Sequence, residues 1–419
     1  MYFSFKEKTL KSIYNILTYI AGFHIKIIAK FNQKLKLGVE GRAETFNILK
    51  TKISAQDKVI WFHCASLGEY EQGLPVFEKI KLQYPLHKIV LSFFSPSGYE
   101  IKKNTPIADA VVYLPLDTKK NAKHFLNHIH PELVVFVKYE FWPNYLNELK
   151  RRGIRSILIS ALFREDQSFF KSYGAWMRKS LNAFEHIFVQ NEASKALLNS
   201  INYSTVTISG DTRFDRVSNQ LQTDNSLDFI HEFKQDKLCI VAGSTWLEDE
   251  QLFINYINSA PSSVRFIIAP HNINTQQIKG LKKAINKPTV LFSEKDNQDL
   301  TKTQVFIIDT IGILSKIYSY ADIAYVGGAM GGTGLHNTLE PAVFGIPIII
   351  GNKYDNFPEA FEMESLGGLF SISNQSTFNT TLNALITDHT NRLNSGTANT
   401  NYITSNKGAV IQIMNYINN

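Results

Sequence analysis

Thirteen short runs of β-branched and aromatic residues recur along the chain, each separated from the next by a stretch of mostly helical length. In the first half they read VIWFHCAS, KIVLSFFS, AVVYLPL, LVVFVKYE, IRSILISAL, HIFVQN and VTISG. In the second half they read LCIVAGST, RFIIAP, PTVLFS, QVFIID, IAYVGG and IPIIIG. The runs are nearly continuous in apolar character and do not alternate polar with apolar. A strand that needs apolar side chains on both faces is a parallel strand covered by helices above and below. Strand and helix alternation of this kind predicts an α/β fold of doubly wound parallel sheets. The series pauses between Asp215 and Lys237, where RVSNQLQTDNSLDFIHEFKQDK is polar and carries no strand pattern. We place a linker at 216–237, between Rossmann-like domains at 43–215 and 238–419. Ligands of such sheets bind outside the carboxyl ends of the strands, so the expected site is a cleft between the domains lined by those ends.

The charge is unevenly placed. Residues 1–42 hold eight Lys and Arg against Glu7 and Glu40, which gives +6 of the chain's net +7. A nucleic-acid binder carries its basic stripe on the folded body, so no nucleic acid is expected. Within this arm the apolar stretch Ile13 to Phe23 is too short to span a bilayer, and no small-residue cleavage site follows it. A basic, aromatic-containing apolar helix suits an anionic membrane surface, lying in the interface. The alternative is a helix that packs on the protein itself. Two cysteines far apart, Cys64 and Cys239, suggest neither a disulfide framework nor a zinc site and fit a reducing compartment.

Several strand ends carry chemistry-bearing residues. IAYVGGAMGGTGLHNTLEPA is a strand, a glycine loop and a helix start, which suits close backbone approach to a phosphate. It is not a Walker A loop, and a glycine-rich turn capped by Asn337 would read the same. Glu340, three residues on, could cap the helix or accept ribose hydroxyls. VAGSTWLEDE and DTIGIL are two further strand-to-loop passages in the same half. In the first half, FHCASLGEYEQGLP places Glu69 where a helix begins. By residue type alone that is an ordinary glutamate at a helix N-terminus; in a cleft it would be a general base. VKYEFWPNY places Lys138, Glu140 and Trp142 past another strand, and GDTRFDR places Arg213 past the last strand of this half. No Asp-x-Asp occurs, so a metal-independent mechanism with protein cations as charge stabilisers is expected.

Six of these segments together, SLGE, EFWPN, VQNE, GDTRFD, VGG and LHNTLEPA…GIPIIIG, resemble in order and spacing the 3-deoxy-D-manno-octulosonic acid (Kdo) transferases of lipopolysaccharide core biosynthesis. The resemblance covers nearly the whole chain. It implies a GT-B fold, CMP-Kdo as donor substrate with no cofactor, the lipid A precursor (lipid IVA) as acceptor, and a place on the cytoplasmic face of the cell inner membrane. It also implies roles. Glu69 matches the proton acceptor, and Lys138 and Arg213 fall at transition-state stabilising positions. Pro270, His271, Ile311, Gly312, Ile313, Asn337, Thr338, Leu339 and Glu340 fall at CMP contacts. Two positions depart from the family pattern. Lys138 stands where many members have Glu, and APH stands where many have Pro-Arg-His, which weakens Pro270 and His271. Two other readings stay open on the residues alone: a soluble GT-B-type sugar-nucleotide epimerase, and a non-catalytic lipid- or nucleotide-binding protein.

Overall fold

The computed structural model describes residues 2–419, with side chains for 9–296 and 298–419. The side chains of Lys6 and Lys8, counted in the basic arm, lie outside the described residues. The chain divides into two compact units. The first runs to Arg216 and takes back Gly408–Asn419; the second is Val217–Lys407.

The first unit holds β1 (Val59–Cys64), β2 (Lys88–Phe93), β3 (Ala110–Tyr113), β4 (Leu133–Val137), β5 (Arg155–Ala161), β6 (His186–Val189) and β7 (Val206–Ile208). They form one parallel sheet in the order β3-β2-β1-β4-β5-β6-β7. The second unit holds β8 (Leu238–Thr245), β9 (Val264–Pro270), β10 (Thr289–Leu291), β11 (Val305–Ile307), β12 (Ile323–Val326), β13 (Ile348–Gly351) and β14 (Leu369–Ile372). Their parallel order is β10-β11-β9-β8-β12-β13-β14. The thirteen expected strands form, and β14 is an addition. Its sequence, LFSI, is four residues long and only partly buried, so it lacked the apolar run that marked the others.

Why the runs are continuous is visible in β1. Val59 and Trp61 enter one core with Val90, Val134 and Phe136, while Ile60, Phe62 and Cys64 enter a second core on the opposite face. Both faces are dry, so period-two alternation has nothing polar to show.

The last helix, Ala409–Asn418, belongs to the first unit and not to the 238–419 domain expected from sequence. Val410, Ile413, Met414 and Ile417 follow helical spacing and fill the second of these cores. Asp215 fixes its start: its carboxylate accepts the backbone N–H groups of Gly408 and Ala409, both at 3.0 Å. A carboxylate there satisfies orphan donors and meets the positive end of the helix dipole.

The arm also differs from expectation. It is two helices, Tyr2–Ile28 and Gln33–Lys52, bent by 120°. Asn32 caps the second through Leu35 N at 3.1 Å. That helix runs through the expected boundary at residue 42 and packs on the sheet, with Thr45 and Leu49 buried. Arg42 is consequently a structural residue: its guanidinium donates to the carbonyls of Leu114, Gly38 and Phe94 at 3.1, 2.9 and 2.6 Å. The first helix docks one face, where Tyr14 donates to Asp117 at 2.7 Å and Asn15 accepts from Asn144 at 2.9 Å. Its other face exposes Ile13, Ile16, Leu17, Ile20, Phe23 and Ile27. Among the described residues no single helix is long and apolar enough to cross a membrane.

Candidate active site

The first sheet reverses its winding between β1 and β4; in the second, β11 turns back between β10 and β9 before the chain crosses to β12, so that the neighbours β8 and β12 send their connections in opposite directions. At such a switch point the loops leave in opposite directions and open a crevice at the strand ends. Glu69 and Lys138 follow β1 and β4, and Asn337 to Glu340 follow β12, whereas Arg213 follows the edge strand β7, Pro270 and His271 lie at the end of β9, and Ile311 to Ile313 follow β11.

In the first unit, β1 ends at Cys64 and Glu69 follows on the first turn of the helix Leu67–Gln83. A helix N-terminus favours the ionised form of a carboxylate, but here burial overrides it. Glu69 is 8% exposed, and its carboxyl is pushed up to about 8 by desolvation and by the neighbouring Glu140. Backbone hydrogen bonds from Ala65 and Ser66, and the Lys138 ammonium, act in the opposite sense and do not prevail.

Past β4, Lys138 takes a left-handed backbone (φ 66°), a conformation that costs a side-chain-bearing residue roughly 1–2 kcal/mol. Its N–H still donates to Ile159 O at 3.0 Å, so the strain is held by the sheet. The turn sends the next residues back over the strand ends. The Lys138 ammonium lies 5.1 Å from the Tyr139 ring centroid, and Arg164 lies 5.3 Å from it. The Tyr139 hydroxyl feels Arg164, Glu69 and Arg213 together. Glu69, Lys138 and Arg213 are therefore brought into one neighbourhood.

Arg213 is oriented by a buried acid. Asp211 accepts from Arg213 N at 2.9 Å, Arg213 Nε at 2.8 Å and Gln72 Nε2 at 2.7 Å. Gln72 lies one turn after Glu69, so the β7 end is tied to the helix that carries the candidate base.

Sequence reasoning missed His63. It is fully buried on β1, and its Nε2 lies 2.8 Å from Glu140 Oε2. The Trp142 indole N–H donates to the same carboxylate oxygen at 2.6 Å. The other imidazole nitrogen faces Ser92 Oγ at 2.8 Å, and Ser92 accepts from the Trp61 indole at 2.7 Å. A chain of polar groups thus runs through the core to Glu140. The signal was one histidine inside an otherwise apolar strand, since a buried polar side chain requires a partner.

In the second unit the switch point is built differently. At the end of β8, Ser244 is left-handed (φ 53°) and the register with β9 shifts between Gly243 and Thr245. This bulge turns Trp246 over the strand ends. Trp246 and His271 stack at 4.8 Å, and His271 and His336 at 4.4 Å. The Trp246 indole N–H donates to His336 Nε2 at 3.0 Å, which puts the His336 proton on Nδ1. Burial and the adjacent His271 hold His336 down to about 4, so it is neutral at physiological pH.

The glycine loop is pinned by Asp249. This fully buried acid accepts from the Tyr325 hydroxyl at 2.6 Å and from the N–H groups of Gly328 and Trp246, both at 2.9 Å. A Cβ on Gly327 would meet Ser244 O at 2.3 Å, and Gly328 has φ 97°, so both glycines are required by close approach or conformation. The helix after the loop is only Leu339–Ala342. One turn carries little dipole, so the anion-binding argument from the helix start weakens. Asn337 accepts from Leu339 N and donates to Glu340, both at 3.1 Å, while Thr338 and Leu339 are buried. Glu340 lies near Tyr318, whose hydroxyl packs against Gly243 on β8. Pro270 pairs with Thr245, and His271 N donates to Thr245 O at 2.9 Å. Ile311 is exposed, and Gly312 has φ 95°. Leu314, just past Ile313, packs toward Gly243.

Comparison with known proteins narrows the class. A UDP-GlcNAc 2-epimerase from Neisseria meningitidis, solved with UDP-GlcNAc, aligns over 86% of this chain and 100% of its own (TM-score 0.59, 15% identity). A glycosyltransferase from Rickettsia africae aligns over 86% and 98% (TM-score 0.54, 13% identity). Two doubly wound seven-stranded parallel sheets with these structural relatives define the GT-B fold of glycosyltransferases and their kin. Residues 40–216 match the family model described as 3-Deoxy-D-manno-octulosonic-acid transferase (kdotransferase). The 3-deoxy-D-manno-octulosonic acid transferase of Haemophilus influenzae is 27% identical over 85% of this chain and 86% of its own. That of Aquifex aeolicus is 28% identical over 78% and 86%. A bifunctional glycosyltransferase/methyltransferase of Fusobacterium nucleatum is 28% identical over 82% of this chain, which spans only 54% of that protein. The chain is thus similar to Kdo transferases over most of its length, and the part that matches their family model lies within the first unit.

Proposed function

We propose that the chain transfers Kdo from CMP-Kdo to a glucosamine hydroxyl of the lipid A precursor, as a peripheral protein of the cytoplasmic face of the inner membrane. The observation that carries this reading is the carboxylate–cation cluster at the β1/β4 switch point, inside the segment that matches the family. Ionised Glu69 takes the proton of the acceptor hydroxyl. The acceptor oxygen forms a bond to the anomeric carbon of Kdo, and the bond from that carbon to the CMP phosphate oxygen breaks with its electron pair. Arg213, held by Asp211, meets the developing phosphate charge. Lys138 pairs with the donor carboxylate or phosphate and lowers the pKa of Glu69. The proton affinity of a carboxyl near 8 makes it a strong base once ionised.

CMP is assigned to the second unit, on Asn337, Thr338, Leu339 and Glu340, with Pro270, His271, Ile311, Gly312 and Ile313 around them. Glu340 suits the ribose hydroxyls, and the Nδ1–H of neutral His336 is a donor available to the nucleotide. The charge stabilisation in this scheme comes from protein cations, without metal. The exposed apolar face of the first helix, with Lys26 and Lys30 beside it, supplies the membrane contact.

The test is incubation of the full chain with CMP-Kdo and lipid IVA, followed by mass analysis of the lipid. Added Kdo mass and released CMP are expected. Turnover of UDP-GlcNAc with no lipid modification would overturn the reading in favour of an epimerase.

A further inference from the structure

A cavity of about 640 Å³ opens between the two N-terminal helices and the loop after β3. Its walls are apolar, from Tyr19, Phe23, Val39, Phe46 and Leu116. Such a volume lies within the range of roughly 300–1,000 Å³ for ligand sites. The floor is firm: Phe46 packs on His124 at 4.1 Å, and Gly22 brings the first helix so close to Leu116 that a Cβ there would stand 2.9 Å from Cδ1. Lys26 and Lys120 line the cavity as well, and both residues are exposed.

We propose that this cavity seats an acyl chain of the acceptor lipid, with Lys26 and Lys120 facing its phosphorylated head. The inference rests on the lipid-acceptor reading given above. Three observations select this occupant. First, the cavity is continuous with the exposed apolar face of the first helix through Tyr19 and Phe23, 57% and 65% exposed, so a chain enters from an apolar surface and not from water. Second, the combination of an apolar bore with a cationic lining matches an anionic amphiphile and not a peptide or a sugar. Third, the cavity lies on the same sheet edge as Glu69. It borders the end of β3, two strands from β1, which is about 10 Å at the usual strand spacing. Its wall residue Arg42 donates to Phe94 O, Phe94 packs on Trp142 at 4.6 Å, and Trp142 donates to Glu140 beside Glu69. An acyl chain held in the cavity leaves its sugar within reach of the base.

The test compares lipid IVA with its fully deacylated counterpart, which keeps the phosphorylated sugars. Binding to the full chain is measured in detergent without CMP-Kdo, so that no turnover is needed. Ala43→Trp and Val39→Trp each fill the bore from the second helix. Both are expected to weaken lipid IVA binding tenfold or more, to change binding of the deacylated sugar less than twofold, and to leave CMP binding unchanged. Unchanged lipid IVA binding in both variants overturns the proposal, as does equal weakening of both acceptors. Loss of vesicle binding with normal lipid IVA binding also overturns it, because the cavity would then hold a bilayer lipid. A chain that binds lipid IVA through the cavity yet transfers no Kdo overturns the functional reading and leaves this inference standing.

Discussion

The two switch points share a topology and differ in chemistry. The crevice of the first unit is ionic: two buried carboxyls, Glu69 and Glu140, stand among Lys138, Arg164 and Arg213. That of the second unit is aromatic and neutral, with a Trp246–His271–His336 stack over a glycine loop. Its one fully buried acid, Asp249, spends its hydrogen bonds on the fold. The sheet order supplies the crevice in both cases, while the residues after each strand decide the task. Ionisable groups whose environments shift their proton affinities suit proton transfer, whereas a rigid loop and stacked rings suit recognition. The account therefore assigns rate to the first unit and donor affinity to the second, and each assignment can be broken separately.

The largest effect is expected from Glu69→Gln. Loss of a positioned base costs about 10²–10⁴-fold in turnover. CMP-Kdo affinity, measured beside it, should stay within a factor of about two by the assignment of donor contacts to the other unit. Lost donor affinity would blur the division between the two crevices.

Asp249→Ala tests the reverse case. It strands the part-buried N–H of Trp246 and two buried groups, the Gly328 N–H and the Tyr325 hydroxyl, for each of which an unmet bond costs about 1–3 kcal/mol. Calorimetry should show a lowered unfolding temperature, and CMP binding should weaken because the glycine loop is no longer pinned. If CMP binding survives intact, the loop does not hold the nucleotide.

Lys138→Glu sharpens the ionic side. A second negative neighbour favours the protonated form of Glu69, so its pKa rises and less base is present at neutral pH. Each unit of rise lowers activity about tenfold well below the pKa. Lys138→Ala should do the same to a smaller extent. A pH profile that does not move would show that Lys138 acts on the donor alone.

His63→Gln is expected to act through Glu140, not through folding alone. It removes the imidazole bridging Ser92 and Glu140, and should shift the pH profile with little change in CMP affinity. The smallest effect belongs to the arm. Replacing exposed Lys26 or Lys30 by Ala should weaken sedimentation with anionic vesicles by about 1 kcal/mol each, with salt reducing the difference.

Legibility from sequence followed the apolar or β-branched run itself. VIWFHC and IAYV, dry on both faces, declared themselves, and VTI was read from its β-branched run although all three residues are only partly buried, whereas LFSI, interrupted by a serine, was not. The final helix carried a clear apolar spacing, but nothing local says which unit its face will cover; that is decided by the core it completes. The positions of Glu69, Lys138 and Arg213 were readable because residues after parallel strands gather at one edge. The proton affinity of Glu69 was not readable, since it depends on Glu140, 71 positions away in the chain, and on how deeply both are buried. His63 and Asp249 were overlooked for a related reason: their partners come from other elements, and a single buried polar residue does not announce them.

The most direct test is the pH dependence of kcat/KM for Kdo transfer to lipid IVA, measured for the unmodified chain and for Glu69→Gln. The base must be unprotonated to act, and burial holds its carboxyl at about 8. For the unmodified chain, kcat/KM should rise tenfold per pH unit below that value and level off above it. The Glu69→Gln profile should lie far lower and lack the inflection. A Glu69→Gln variant that keeps both the rate and the inflection would contradict the account, because the titrating base would then be another group.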